Sequence, residues 1–270
     1  MATATFPGAD SMRLVDSHCH LDAAEFDGDR SAVVQRARDA GVHRQVVPAV
    51  DAAGWAKLSD VCAADSGLFP AYGLHPIAVP VHRQEHLALL RERIECERPV
   101  AIGECGLDFF IEELDPGAQQ SYFEGQLQLA REFDLPLIVH ARRAVEAVIV
   151  AIRRAGGLRG VVHSFSGSHE QARQLWDAGF LIGLGGPVTY ERANRLRKLA
   201  ATMPLEHLLL ESDAPDQPDA DRRGQRNEPA RVAFVARTIA ALREEDVEHV
   251  ATVTTTNAER LFGLPAMPSA

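Results

Sequence analysis

Lysine is almost missing from this 270-residue chain: Lys57 and Lys198 are the only two, and arginine supplies the remaining positive charge. Positive charge is itself in deficit, at a formal net of −10, which excludes the general basic footprint that holds nucleic acid non-specifically. Cysteine is scarce as well. Cys19, Cys62, Cys96 and Cys105 lie far apart with no C-x-x-C pair, so reduced thiols are expected rather than a disulfide framework or a zinc ribbon. No stretch approaches the ~18 consecutive apolar residues of a membrane span, and the opening MATATFPGADSM has neither the basic start nor the apolar run of a secretory signal. A cytoplasmic protein with no membrane partner is the expectation. No Pro/Ser-rich linker or low-complexity tract divides the sequence, so a single domain over 1–270 is expected, with flexible ends at 1–12 and 264–270.

What the sequence does have is rhythm. Eight short apolar runs recur at 14–17, 45–50, 68–74, 100–104, 137–140, 161–163, 180–184 and 208–211, each followed by a polar loop and then an amphipathic stretch. Short apolar runs alternating with helical periodicity are the pattern of parallel βα units. Helices are predicted at 31–40, 117–133 and 168–178, stopped respectively by Gly41, by Leu135-Pro136 and by Gly179, the residues that end helices. Eight such units in one α/β domain predict a single (β/α)8 TIM barrel, whose active site lies at the C-terminal ends of the strands.

The places where the apolar runs stop carry the chemistry. They read DSHCH with His18 and His20, YGLHP with His75, AIGECGLDFF with Glu104, LIVHARR with His140, VVHSFSG with His163, and LLLESDAP with Asp213. Alternate residues of a strand share a face, which turns His18 and His20 to one side and Cys19 to the other. Imidazole and carboxylate are the usual ligands of zinc, manganese and related divalent ions. Four histidines and two carboxylates exceed the needs of one tetrahedral ion, so two ions about 3.5 to 4 Å apart and bridged by a carboxylate are expected, the arrangement of metal-assisted hydrolysis.

Around these groups stand Asp108 and Glu211, which could orient ligand histidines, and Phe109 and Phe110, whose rings could stack on nucleobases. Arg142, Arg222 and Arg226, with neighbouring Arg143 and Arg223, form a candidate basic rim that would draw a polyanionic substrate into the cleft. The competing expectation is that the arginines after Asp213 pair with nearby acids such as Asp219 and Glu228.

The motifs DSHCHLD, GLHP, GECGLDFF, PLIVHARR, VVHSFSG, ESDAP, GQRNEP and TTNAERLF, in this order from Asp16 to Phe262, resemble those of the TatD family of metal-dependent deoxyribonucleases. The resemblance implies that His18, His20 and Asp213 bind one ion, that Glu104 bridges, and that His140 and His163 complete the second site. It also implies that Asp213 activates the attacking water, that His75 meets the substrate phosphate, and that the substrate partner is DNA, cut from a single-stranded end. Two divalent ions drawn from zinc, manganese, magnesium, nickel or iron are the implied cofactors. HAR stands where the family more often has HSR, which removes a hydroxyl before Arg142. An alternative in the same barrel is hydrolysis of a small ester, amide or lactone. A metal-stabilised binding protein without turnover is the third reading.

Overall fold

The computed structural model describes residues 12–265. Its eight strands are β1 (Leu14–Asp16), β2 (Val42–Pro48), β3 (Leu68–Tyr72), β4 (Ala101–Asp108), β5 (Leu137–Arg142), β6 (Gly160–Val162), β7 (Phe180–Leu184) and β8 (Leu208–Leu210). They pair in sequence order, every pair parallel. All eight predicted runs are strands. Helices lie between and after them: α1 (Arg30–Asp39), α2 (Trp55–Ala63), α3 (Glu85–Glu97), α4 (Pro116–Phe133), α5 (Val145–Ala155), α6 (His169–Trp176), α7 (Asn194–Thr202), α8 (Val232–Arg243) and α9 (Val247–Phe262). The chain is the expected (β/α)8 barrel.

Closure between the first and last strands is made by few bonds. Ser17 donates its N–H to the Leu210 carbonyl at 2.9 Å, and Asp213 donates to the His18 carbonyl at 2.9 Å. Beside them the Asp16 carboxyl, fully buried, accepts the Ser212 backbone N–H at 2.9 Å and the Ser212 hydroxyl at 2.5 Å. This clip fixes the level of His18 against that of Asp213, because each lies next to one of its ends.

One apolar residue from each strand fills the floor of the barrel: Val15, Val46, Ala71, Ala101, Ile138, Val161, Leu181 and Leu209. Ala258, Leu261 and Phe262 of α9, with Leu264, pack against this layer. Side chains alternate along a strand, so the inward residue after Ile138 is His140, after Val161 it is His163, and after Leu209 come Glu211 and Asp213. On β4 the register breaks between Ile102 and Cys105. That break lets Glu104, three residues after Ala101, face inward, while Cys105 packs in the outer core with its thiol toward the Ile138 carbonyl at 3.5 Å.

The expected flexible ends need correction at their inner margins. Met12 and Leu264 are buried core residues, held by the layers just described. The remainder of the expectation, at 1–11 and 266–270, lies outside the described residues.

Candidate metal centre

Six predicted residues meet at the C-terminal mouth of the barrel, at the base of a cleft of about 840 Å³. The Glu104 carboxylate, 1 % exposed, stands at the centre and its two oxygens face different groups. Oε2 lies 3.2 Å from His18 Nε2 and 3.5 Å from His20 Nε2. Oε1 lies 2.7 Å from His163 Nε2, 3.0 Å from His140 Nδ1 and 2.9 Å from His75 Nε2. Asp213 Oδ1 completes the first group, 3.5 Å from His18 Nε2 and 3.7 Å from His20 Nε2.

These residues suit divalent cations on grounds of geometry and of unmet bonding. His18 Nε2 approaches His20 Nε2 to 3.2 Å, and His140 Nδ1 approaches His163 Nε2 to 3.3 Å. Lone pairs so directed repel unless a proton or cation lies between them. Two ligands about 2.0 to 2.1 Å from one tetrahedral ion sit about 3.3 Å apart, so both separations match edges of a coordination shell. Glu104 Oε2 is buried without a hydrogen-bond partner, a condition native interiors avoid unless something else satisfies the atom.

The electrostatics divide the histidines. Burial pushes His18 well below its ordinary value and His75 down to about 4. Burial also pulls His163 down, but the Glu104 charge and hydrogen bond, with Glu211 and Asp213 behind, outweigh it and raise that imidazole to about 10. Glu104 would be raised by burial, yet His163, His75 and His18 hold it well below the carboxylate range. Burial raises Asp213, which strengthens it as a base. A metal ion competes with these protons, since imidazole must be neutral to ligate.

Neighbouring groups fix the orientation of this cluster. Asp108 Oδ2 accepts from His140 Nε2 at 2.8 Å, and this commits Nδ1 to the centre. The same aspartate accepts from the Phe110 and Ile111 backbone at 2.9 and 3.3 Å, so it orients the histidine and caps the loop together. Gly106 makes room for this: at φ +128°, a Cβ there would sit 2.1 Å from the His140 carbonyl oxygen. Glu211, pushed up to about 8 by burial, accepts from the Ser164 N–H at 2.5 Å.

His75 lines the cleft, but both of its ring nitrogens are engaged. Nδ1 accepts from the Ile77 N–H at 3.0 Å, which places the proton on Nε2, and that proton points at Glu104. The expected contact with a substrate phosphate therefore gives way to an orienting contact on Glu104. Two of the three predicted substrate arginines also need correction. Arg226 is held bidentate by Asp29 at 2.8 and 2.7 Å and by Glu228 at 3.1 Å, over the ring of Phe26. Among the described residues the Arg222 side chain hydrogen-bonds Gln225 at 3.1 Å, and neither it nor Arg226 is among the residues that line the cleft there. Arg142 does line it.

Gln217, which the sequence motifs left without a role, donates to Asp213 Oδ2 and exchanges hydrogen bonds with the Ser164 hydroxyl. Asn227, inside GQRNEP, donates to the Ser212 and Asp216 carbonyls at 2.7 and 2.9 Å and ties down the loop that carries both. The backbone signals the same region. Of the seven non-glycine residues with positive φ among the described residues, Arg98, Asp134 and Glu244 end helices, and the other four, Arg143, Ser164, Asp213 and Gln217, all lie in loops at the C-terminal ends of the strands. Such residues cost ~1 to 3 kcal/mol each and gather at functional sites.

Known proteins share this framework. The family described as "TatD related DNase" matches residues 15–263. The metal-dependent hydrolase YjjV of Escherichia coli K12 is 40% identical over 94% of this chain and 99% of its own. YabD of Bacillus subtilis, also described as a metal-dependent hydrolase, is 36% identical over 92% of this chain and 98% of its own. The crystal structure of YjjV, a TatD homolog, superposes with a TM-score of 0.89 over 94% of this chain and 99% of that one.

Proposed function

The chain belongs to the TatD family of metal-dependent hydrolases, and from that premise we propose that it is a deoxyribonuclease that hydrolyses phosphodiester bonds at single-stranded DNA ends in the cytoplasm, using two divalent cations. One observation carries the reading: Glu104 turns one oxygen to His18 and His20 and the other to His140 and His163. A carboxylate so placed is suited to serve two ions at once, and two-ion centres suit in-line displacement at phosphorus.

In this reading His18, His20 and Asp213 would hold one cation and His140 and His163 the other, with Glu104 available to both. Bound there, the cations lower the pKa of water and offset charge on the attacked phosphoryl group. The rest falls to the side chains. Asp213, its Oδ2 held by Gln217, takes the proton of the attacking water as the new P–O bond forms and the P–O bond to the sugar breaks on the opposite side, where the departing oxygen takes a proton from solvent. His75 keeps Glu104 in register by donating its Nε2 proton. Arg142 meets a non-bridging phosphate oxygen. Its guanidinium is planar, permanently charged and suited to that contact.

The test is hydrolysis of 5′- and 3′-labelled single-stranded DNA by metal-stripped protein refilled with manganese, magnesium or zinc, beside Asp213→Asn. Stepwise shortening that needs the metal and is lost in the variant is the expected result, and the label that survives gives the polarity. Intact DNA with every metal, with the ions measured as bound, would transfer the assignment to a small ester, amide or lactone.

A further inference from the structure

Two loops meet on one side of the cleft, after β4 and after β5. Phe109 and Phe110 on the first are 39% and 43% exposed, and Ile77, on the neighbouring loop after β3, is 42% exposed. Large apolar groups left in water at a cleft mouth mark a surface that something covers. Over the Phe110 ring lie two guanidinium groups, that of Arg142 at 3.7 Å from the centroid and that of Arg143 at 4.7 Å. Neither pairs with a carboxylate among the described residues. A guanidinium held by its face against a ring keeps its edge N–H groups free for a phosphate.

The lip is also built to a fixed position. Phe109 donates its N–H to the Arg142 carbonyl at 2.9 Å, which joins the two loops. Asp108, whose other oxygen orients His140, accepts the Phe110 N–H. One carboxylate thus sets the lip and a metal-facing histidine in a single frame. Arg143 is in the left-handed region, φ +53°, where a glycine would be the usual residue. Beyond the lip, Phe109 and Arg143 line a second hollow of about 570 Å³ between α4 and α5.

We propose that Phe110, Arg142 and Arg143, with Ile77 on the neighbouring loop, form a subsite for the nucleotide next to the bond being cut: its base covers the apolar surface and its phosphate lies on the edge of Arg143. The proposal rests on the phosphodiesterase reading and adds a preference for polynucleotides over isolated diesters, because a substrate with one phosphate cannot occupy the cleft floor and Arg143 together.

The experiment measures binding and turnover separately on the metal-loaded protein. Binding uses a fluorescent, phosphorothioate-linked oligothymidylate ten nucleotides long, followed by anisotropy across a salt series. Turnover uses an unmodified oligothymidylate and bis(p-nitrophenyl) phosphate. Phe110→Ala and Arg143→Ala should each weaken oligonucleotide binding about tenfold, and Arg143→Ala should reduce the salt slope by about 0.7. Arg143→Lys should restore most of that slope. Arg153→Ala, which removes the same charge from an exposed position on α5, should do neither. In turnover, the ratio of oligonucleotide to bis(p-nitrophenyl) phosphate efficiency should fall about tenfold in the two lip variants. Equal oligonucleotide binding by wild type and both variants, or an equal loss in Arg153→Ala, overturns the subsite whatever the turnover. Binding that is lost as expected while no diester is cut leaves the lip a nucleotide-binding surface and overturns the hydrolytic reading together with the place of the subsite beside a cut bond.

Discussion

The floor and the mouth of this barrel are built by the same strands and differ in almost every physical respect. At the floor each strand contributes one apolar side chain and α9 covers the layer. Two or three residues further along, Ile138 gives way to His140, Val161 to His163 and Ala101 to Glu104, and buried atoms lack partners or oppose one another. Burial of apolar area is the main favourable term in folding. Buried ionisable groups raise its cost. Stability therefore belongs to the lower layer, and the upper layer is tolerated because of what it binds.

Substitutions at the two levels should separate stability from activity. Glu104→Ala removes the one group that faces both histidine pairs, and turnover should fall on the order of a thousandfold with loss of bound metal by elemental analysis, while unfolding stays cooperative. Cys105→Ala, on the opposite face of the same strand, should leave the rate within about a few fold; equal damage in both would void the contrast. Leu209→Ala at the floor should do the reverse, lowering stability by about 2 to 5 kcal/mol in urea titrations with kcat per folded molecule unchanged. Between these, Gln217→Leu frees Asp213 Oδ2 and should lower metal affinity or kcat about 10- to 100-fold, with a melting temperature near that of wild type in metal-free buffer.

Much of this was legible in the sequence, for a physical reason. Strands of a parallel barrel are buried on both faces, so they stand out as apolar runs, and the chemistry begins where the run breaks. For the same reason the end of β4 was missed: Cys105 to Asp108 continue the strand, but GECGLD does not read as an apolar run. The residues that meet in the candidate cluster are readable because they are close in sequence to strand ends. What remained hidden depended on partners distant in sequence. Arg226 and Arg142 are equivalent on paper, yet Asp29, 197 residues from Arg226, neutralises one and a phenylalanine ring supports the other. His75 was assigned to the phosphate because nothing local shows that a backbone N–H occupies its Nδ1.

The smallest expected effect tests that last distinction. If Arg226 is a structural tie between the loop after β8 and the segment before α1, then Arg226→Ala should leave DNA turnover within about twofold, whereas Arg142→Ala should not. Its signature should instead lie in acid. Hydrogen bonds from Arg226, then Arg36, hold the Asp29 carboxyl down at about 2. A carboxylate with a depressed folded pKa contributes stability that is complete above its unfolded value near 3.9 and is lost as pH falls toward the folded one. Wild type should therefore lose this contribution between about pH 4 and pH 2, and Arg226→Ala should show a shallower fall of melting temperature over the same window. The pair is solvent-exposed, so the difference should be small and should shrink in high salt. Parallel melting curves for both proteins, together with a large loss of DNA cleavage in Arg226→Ala, would return Arg226 to the substrate and erase the contrast with Arg142.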